Sequence, residues 1–154
     1  MMRIALYQPD IPQNTGTILR LASCLGISVD LIKPAGFVMD SKHLRRAGMD
    51  YLNHTSLLQH QSWNTYTEQI KKKDRIILLT TKAKTNYVDF AYNCDDTLLV
   101  GSESEGVPVH VHNFVDKKIR IPMQPHMRSL NVAVAISMVL GEALRQTNQL
   151  PDMK

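Results

Sequence analysis

Two loops and one arginine in this chain have the residue types that bind or activate a small molecule. Gly101-Ser102-Glu103-Ser104-Glu105-Gly106 places a glycine at each end of a short acidic segment, and glycine lets backbone approach a ligand closely. Pro122 and Pro125 interrupt residues 122–129, because each lacks an N–H and has a fixed φ, so neither strand nor helix continues there. Ser129 follows, where its oxygen can cap the next helix. A constrained loop opening into a helix presents unpaired N–H groups to a small ligand. Arg20 sits among apolar neighbours, and by spacing alone a structural ion pair and a chemical role are both open. The glycine loop is equally compatible with a plain turn.

Other chemistries lack their residues. No G-x-G-x-x-G follows the first strand, no P-loop is present, and no G-x-S-x-G elbow occurs, which argues against the common dinucleotide, nucleotide and serine-hydrolase sites. His110 and His112 are two apart and point to different sides of a helix, and the other histidines are scattered, so no metal site is expected. Cys24 and Cys94 stand alone, which fits a reducing compartment and a cytoplasmic location. Lys42, Arg45 and Arg46 follow a capping Asp40; a solvated helix face and a phosphate-contacting patch both explain them.

The elements that must position these residues alternate. Residues 3–7, 29–32, 75–79 and 97–100 read as short apolar strands, with a further brief strand in 51–57. Helices are expected from near Asn14 to Gly26, over 41–47, after Ser62 through Trp63, Tyr66 and Ile70, over 105–115, and from about Ser129 to Gln146. The last helix is apolar around nearly its whole circumference and is expected to be buried on more than one side. Five-residue strands alternating with helices predict an α/β fold with a mostly parallel sheet of about six strands flanked by helices. Ligands of such sheets bind beyond the carboxyl ends of the strands, which here are the loops 8–14, 80–85, 101–106 and 122–129.

The chain of 154 residues, 44% apolar, fits one domain, 1–154, with a real core. A formal net charge of +4 leans toward an anionic partner. No apolar run reaches membrane length and no charged-then-apolar leader precedes the first strand, so neither a membrane nor secretion is expected.

Three separated motifs carry a family resemblance. Asn14-Thr15-Gly16-Thr17-Ile18-Leu19-Arg20 has the form N-x-G-x-x-x-R; residues 98–108 and 119–135 supply two more, in order. Together they resemble the SPOUT superfamily of RNA methyltransferases. Residues 6–12, 44–51 and 79–82 are similar to its single-domain branch, which 2′-O-methylates the wobble nucleotide (C34 or U34) of certain leucine tRNAs. The resemblance implies a C-terminal trefoil knot and S-adenosylmethionine held at Leu79, Gly101, Ile121, Met123, Ser129 and Leu130. It implies a tRNA substrate, for which the charge of Lys42, Arg45 and Arg46 makes them the candidate RNA face, and a homodimer joined through the first and last helices. Arg20 and Asn14 would act on the ribose, while Glu103, Gly106 and Asn131 would shape the site. Guanidinium stays protonated at any ordinary pH, so Arg20 would hold the hydroxyl or a phosphate and stabilise oxyanion charge rather than act as a free base.

Overall fold

The computed structural model describes residues 1–39, 42, 54–70 and 74–152. Seven strands form one sheet: β1 (Arg3–Tyr7), β2 (Ser28–Ile32), β3 (Leu57–His60), β4 (Ile76–Leu79), β5 (Thr85–Asn86), β6 (Thr97–Val100) and β7 (Lys117–Arg120). Four helices are described: α1 (Pro12–Leu25), α2 (Trp63–Gln69), α3 (Val109–Phe114) and α4 (Val132–Gln146). The sheet order is β3-β2-β1-β6-β4-β7-β5, and every pairing is parallel. Strand order reverses between β1 and β6, so a crevice opens where their carboxyl ends diverge.

Alternation along the strands divides the core into two layers. Ile4, Leu6, Leu98 and Val100 face α1 and α4, where Ile18, Leu19, Ile136, Val139 and Leu140 close the larger layer. Ala5, Tyr7, Leu78 and Leu99 face the opposite way and meet Trp63, Tyr66, Val111 and Val115 of the α2–α3 side. One buried charge interrupts this second layer. Asp30 of β2 accepts two bonds from the Arg3 guanidinium, at 2.8 and 2.9 Å, and lies 2.8 Å from His60 Nε2, so its carboxylate is satisfied on both oxygens.

Several boundaries differ from the sequence expectation for identifiable reasons. The α1 helix starts at Pro12, not Asn14: proline is preorganised for the first helical position, and Ile11 precedes it without a side-chain cap. The α4 cap is Asn131, not Ser129, and its Oδ1 accepts from the backbone N–H groups of Ala133 and Val134 at 2.9 and 3.3 Å. The third strand begins at Leu57 instead of ending there. Residues 105–108 stay outside α3, because the loop hydrogen bonds between Ser102 and Gly106 hold that stretch in a turn. The two-residue β5, too short to leave a periodic signal, raises the strand count to seven. Gly26 closes α1 at φ 68°, and Ser62 caps α2 by accepting from Thr65 N–H at 3.1 Å, as the residue types predict. In the single chain α4 leaves Val134 and Met138, four residues apart, exposed. The expected helix over 41–47 lies outside the described residues apart from Lys42.

Candidate active site

Beyond the carboxyl ends of β1, β4, β6 and β7 lies a cavity of about 500 Å³, within the range that binds small molecules. All six residues assigned to a cofactor from sequence line it: Leu79, Gly101, Ile121, Met123, Ser129 and Leu130. Asn14, Glu103, Gly106 and Asn131 line it as well. Ser129 is a wall residue rather than a helix cap. Leu79, Val100, Ile121 and Ala135 make the wall apolar, while the rim carries Lys82 and Glu105.

The glycine loop is shaped by a close approach. Ser102 N–H bonds to Gly106 O at 3.0 Å and Gly106 N–H to Ser102 O at 2.9 Å, folding the loop back on itself. A Cβ on Gly101 would lie 2.4 Å from the Gly106 carbonyl carbon, so no larger residue fits there without backbone movement. Gly106 is needed for a different reason, its φ of 70°.

A hydrogen-bonded chain joins the three motifs across the cavity. Asn131 Nδ2 donates to Asn14 Oδ1 at 2.9 Å, and Asn14 Nδ2 donates to Glu103 Oε1 at 3.2 Å. The other Glu103 oxygen accepts from Asp10 N–H at 2.9 Å, and Glu103 N–H donates to Asp10 Oδ1 at 3.2 Å. Ser104 Oγ donates to the remaining Asp10 oxygen. Gly36 packs on Asp10, with its N–H on Pro9 O at 2.8 Å, and pins this loop from behind. Asn14 reaches its partners because it occupies the third helical position rather than the cap; a capping side chain would be spent on its own backbone. Within the carboxylate pair, burial pushes Glu103 up and Asp10 adds to the rise. Asp10 is drawn down, first by its hydrogen bond with Glu103 and then by Ser104.

The remaining sequence candidates fall elsewhere. Arg20 is exposed on α1 and is not among the described residues lining the cavity. Six residues separate it from Asn14, which is about 9 Å of rise and about 600° of rotation, so it leaves the helix in another direction. Lys42 is exposed, and Arg45 and Arg46 lie outside the described residues. Sequence reasoning missed Asp10 as the anchor of the chain and His112 as a lining residue. Asp10 had a signal, an acid between Pro9 and Pro12 at a strand end. Among the described residues there is no group of three His, Cys, Asp or Glu able to hold a metal, and no helix is long and apolar enough to cross a membrane.

The chain is 55% identical over 148 residues to a tRNA (cytidine(34)-2′-O)-methyltransferase of Beijerinckia indica, covering 96% of this chain and 92% of that protein. A solved structure concerned with the 2-OH methylation of C/U34 on tRNA superposes with a TM-score of 0.90 at 38% identity, covering 95% of each chain. An AdoMet-bound rRNA methyltransferase from Sinorhizobium meliloti superposes with a TM-score of 0.83 at 25% identity, over 94% of this chain and 56% of that one. Residues 1–141 match the model of the SpoU rRNA Methylase family. With that match spanning both faces of the cavity and the motif chain across it, the protein belongs to the SpoU methylase family.

Proposed function

We propose that this protein transfers a methyl group from S-adenosylmethionine to the ribose 2′-hydroxyl of tRNA nucleotide 34, a cytidine or uridine, in leucine tRNAs. The observation that carries the reading is the cavity at the strand ends, where all three sequence motifs converge and are tied together by the chain from Asn131 to Asp10. The relative that covers nearly the full length and names cytidine 34 favours this site over a ribosomal one.

The residues present fit the cofactor. The apolar walls at Leu79, Val100 and Ile121 suit a purine, and Gly101 leaves open backbone where a Cβ would crowd the loop. Leu79, Gly101, Ile121, Met123, Ser129 and Leu130 would hold it. When bound, it supplies a methyl group already activated by a sulfonium. The chain's own task is to align a ribose oxygen and ease loss of its proton. Asn14, locked between Glu103 and Asn131, fixes the ribose side of the cavity. Lys82 at the rim attracts the phosphate backbone, helped by Lys84 and Arg128, which are exposed within two residues of lining positions.

Arg20 stabilises the developing oxyanion or holds a phosphate. It does so from outside its own cavity, which calls for a second protomer. The exposed Ile11, Val134 and Met138, on and beside the packed α1–α4 pair, form the face of a two-fold dimer in which each chain's Arg20 serves the partner's site. The test is incubation with methyl-labelled S-adenosylmethionine and total tRNA, followed by nucleoside mapping. Label in 2′-O-methylcytidine or 2′-O-methylated uridine from the anticodon is the expected result. Cofactor binding without transfer to any RNA would overturn the proposal.

A further inference from the structure

We infer that His112 is a cofactor-binding residue, its Nε2 hydrogen-bonding a polar edge of the purine held in the cavity. The inference rests on the reading of the cavity as a methyl-donor site. Only two buried side-chain polar atoms lack a hydrogen-bond partner among the described residues: Thr15 Oγ1 and His112 Nε2. Of the two residues, only His112 lines the cavity. Its backbone is held firmly. The His112 N–H bonds to Pro108 O at 3.0 Å, and its neighbour Val111 is fully buried in the second core layer.

The cavity's lining includes polar side chains, among them Thr80, Thr81, Ser102 and Asn131, yet none of them bonds to Nε2. A buried nitrogen left unpaired is costly, and native interiors retain one where something else completes it. What completes this one must tolerate apolar walls on its faces and present a donor or acceptor on its edge, which describes a heteroaromatic base. Imidazole serves either partner, because its tautomer decides whether Nε2 donates or accepts.

The test uses the full chain and S-adenosylhomocysteine as an unreactive probe. Titration calorimetry compares the wild type with His112→Leu and His112→Gln, alongside melting of each ligand-free protein. His112→Leu should bind about tenfold more weakly, while its ligand-free melting temperature stays level or rises, since an unpaired nitrogen has been removed. His112→Gln should recover part of the affinity. The ¹⁵N resonance of His112 Nε2 in the wild type should move on saturation. Equal affinity in His112→Leu, or a resonance that does not move, overturns the inference, and the resonance decides alone if the variants do not fold. A melting temperature that falls in step with affinity assigns His112 a structural role and overturns it too. A wild type that binds no probe at all overturns the methyl-donor reading itself, a result distinct from the others.

Discussion

Asn131 donates its Nδ2–H to Asn14 Oδ1 at 2.9 Å, and this bond sets the orientation of both amides. Asn131 Oδ1 is committed to the N–H groups of Ala133 and Val134, so only its nitrogen is left to face Asn14. Asn14 must answer with oxygen, which leaves its nitrogen for Glu103. The helix cap thereby dictates, two side chains away, what the second motif's carboxylate meets.

Asn131→Asp tests this relay. The introduced carboxylate still caps α4, so stability should change by no more than about 0.5 kcal/mol, whereas Asn131→Ala should cost about 1 kcal/mol. That carboxylate offers no donor, so Asn14 must turn its nitrogen to it and set its oxygen against Glu103. Methyl transfer should then fall more in Asn131→Asp than the small stability change explains. Urea unfolding beside initial rates reads both.

Gly101 and Gly106 should fail differently. Gly101→Ala drives a Cβ to within 2.4–2.7 Å of Gly106 backbone atoms, a clash worth about 3 kcal/mol, with loss of cofactor binding. Gly106→Ala meets nothing within 4 Å and loses only the left-handed conformation, at about 1–2 kcal/mol. Thermal unfolding with a binding titration separates the two costs.

The Glu103–Asp10 pair predicts a pH signature. Glu103 is raised by burial, so the native state binds its proton more readily than the unfolded chain does. Its contribution is therefore present at acid pH and lost as pH rises through the raised native value. Relative to Glu103→Ala, the wild type should gain stability as pH falls from neutral toward 4.5. Asp10 runs the other way: its depressed value gives stability above 3.8 that is lost on further acidification. Urea midpoints of the wild type against Glu103→Ala and against Asp10→Ala, at closely spaced pH values, read the two contributions separately.

Much of this was legible in the residues. Strands such as Thr97–Val100 announce themselves as apolar runs, and the all-parallel sheet follows from alternation with helices. The six positions that the family resemblance implied for a cofactor all line one cavity, because the motifs that carry the resemblance end the strands around it. The relay was not legible. It depends on which residue caps α4, and Ser129 and Asn131 are both good caps two positions apart. His112 was hidden because it reaches the cavity only through tertiary packing of α3, which spacing does not encode. Arg20's direction follows from helix geometry: six positions on from Asn14, it points away from the side on which Asn14 meets the cavity.

The exposed pair on α4 gives a prediction for assembly. Val134→Glu with Met138→Glu adds charge to a surface that is already solvent-facing in the single chain, so folding should survive. A two-fold dimer should dissociate and activity should drop by an order of magnitude or more, since neither Arg20 would reach a partner. Sedimentation measures the first effect. Mixing this variant with Arg20→Ala should restore no activity, because the variant cannot pair.

The Asn131–Asn14 bond closes a span of 117 residues. Motifs that far apart meet only once the final helix has docked beside the first, so a polypeptide interrupted before residue 131 lacks the wall made by Asn131, Val132 and Ala135. Closure of the donor pocket thereby waits for the last segment to be made: a nascent or clipped chain would present it with one side open.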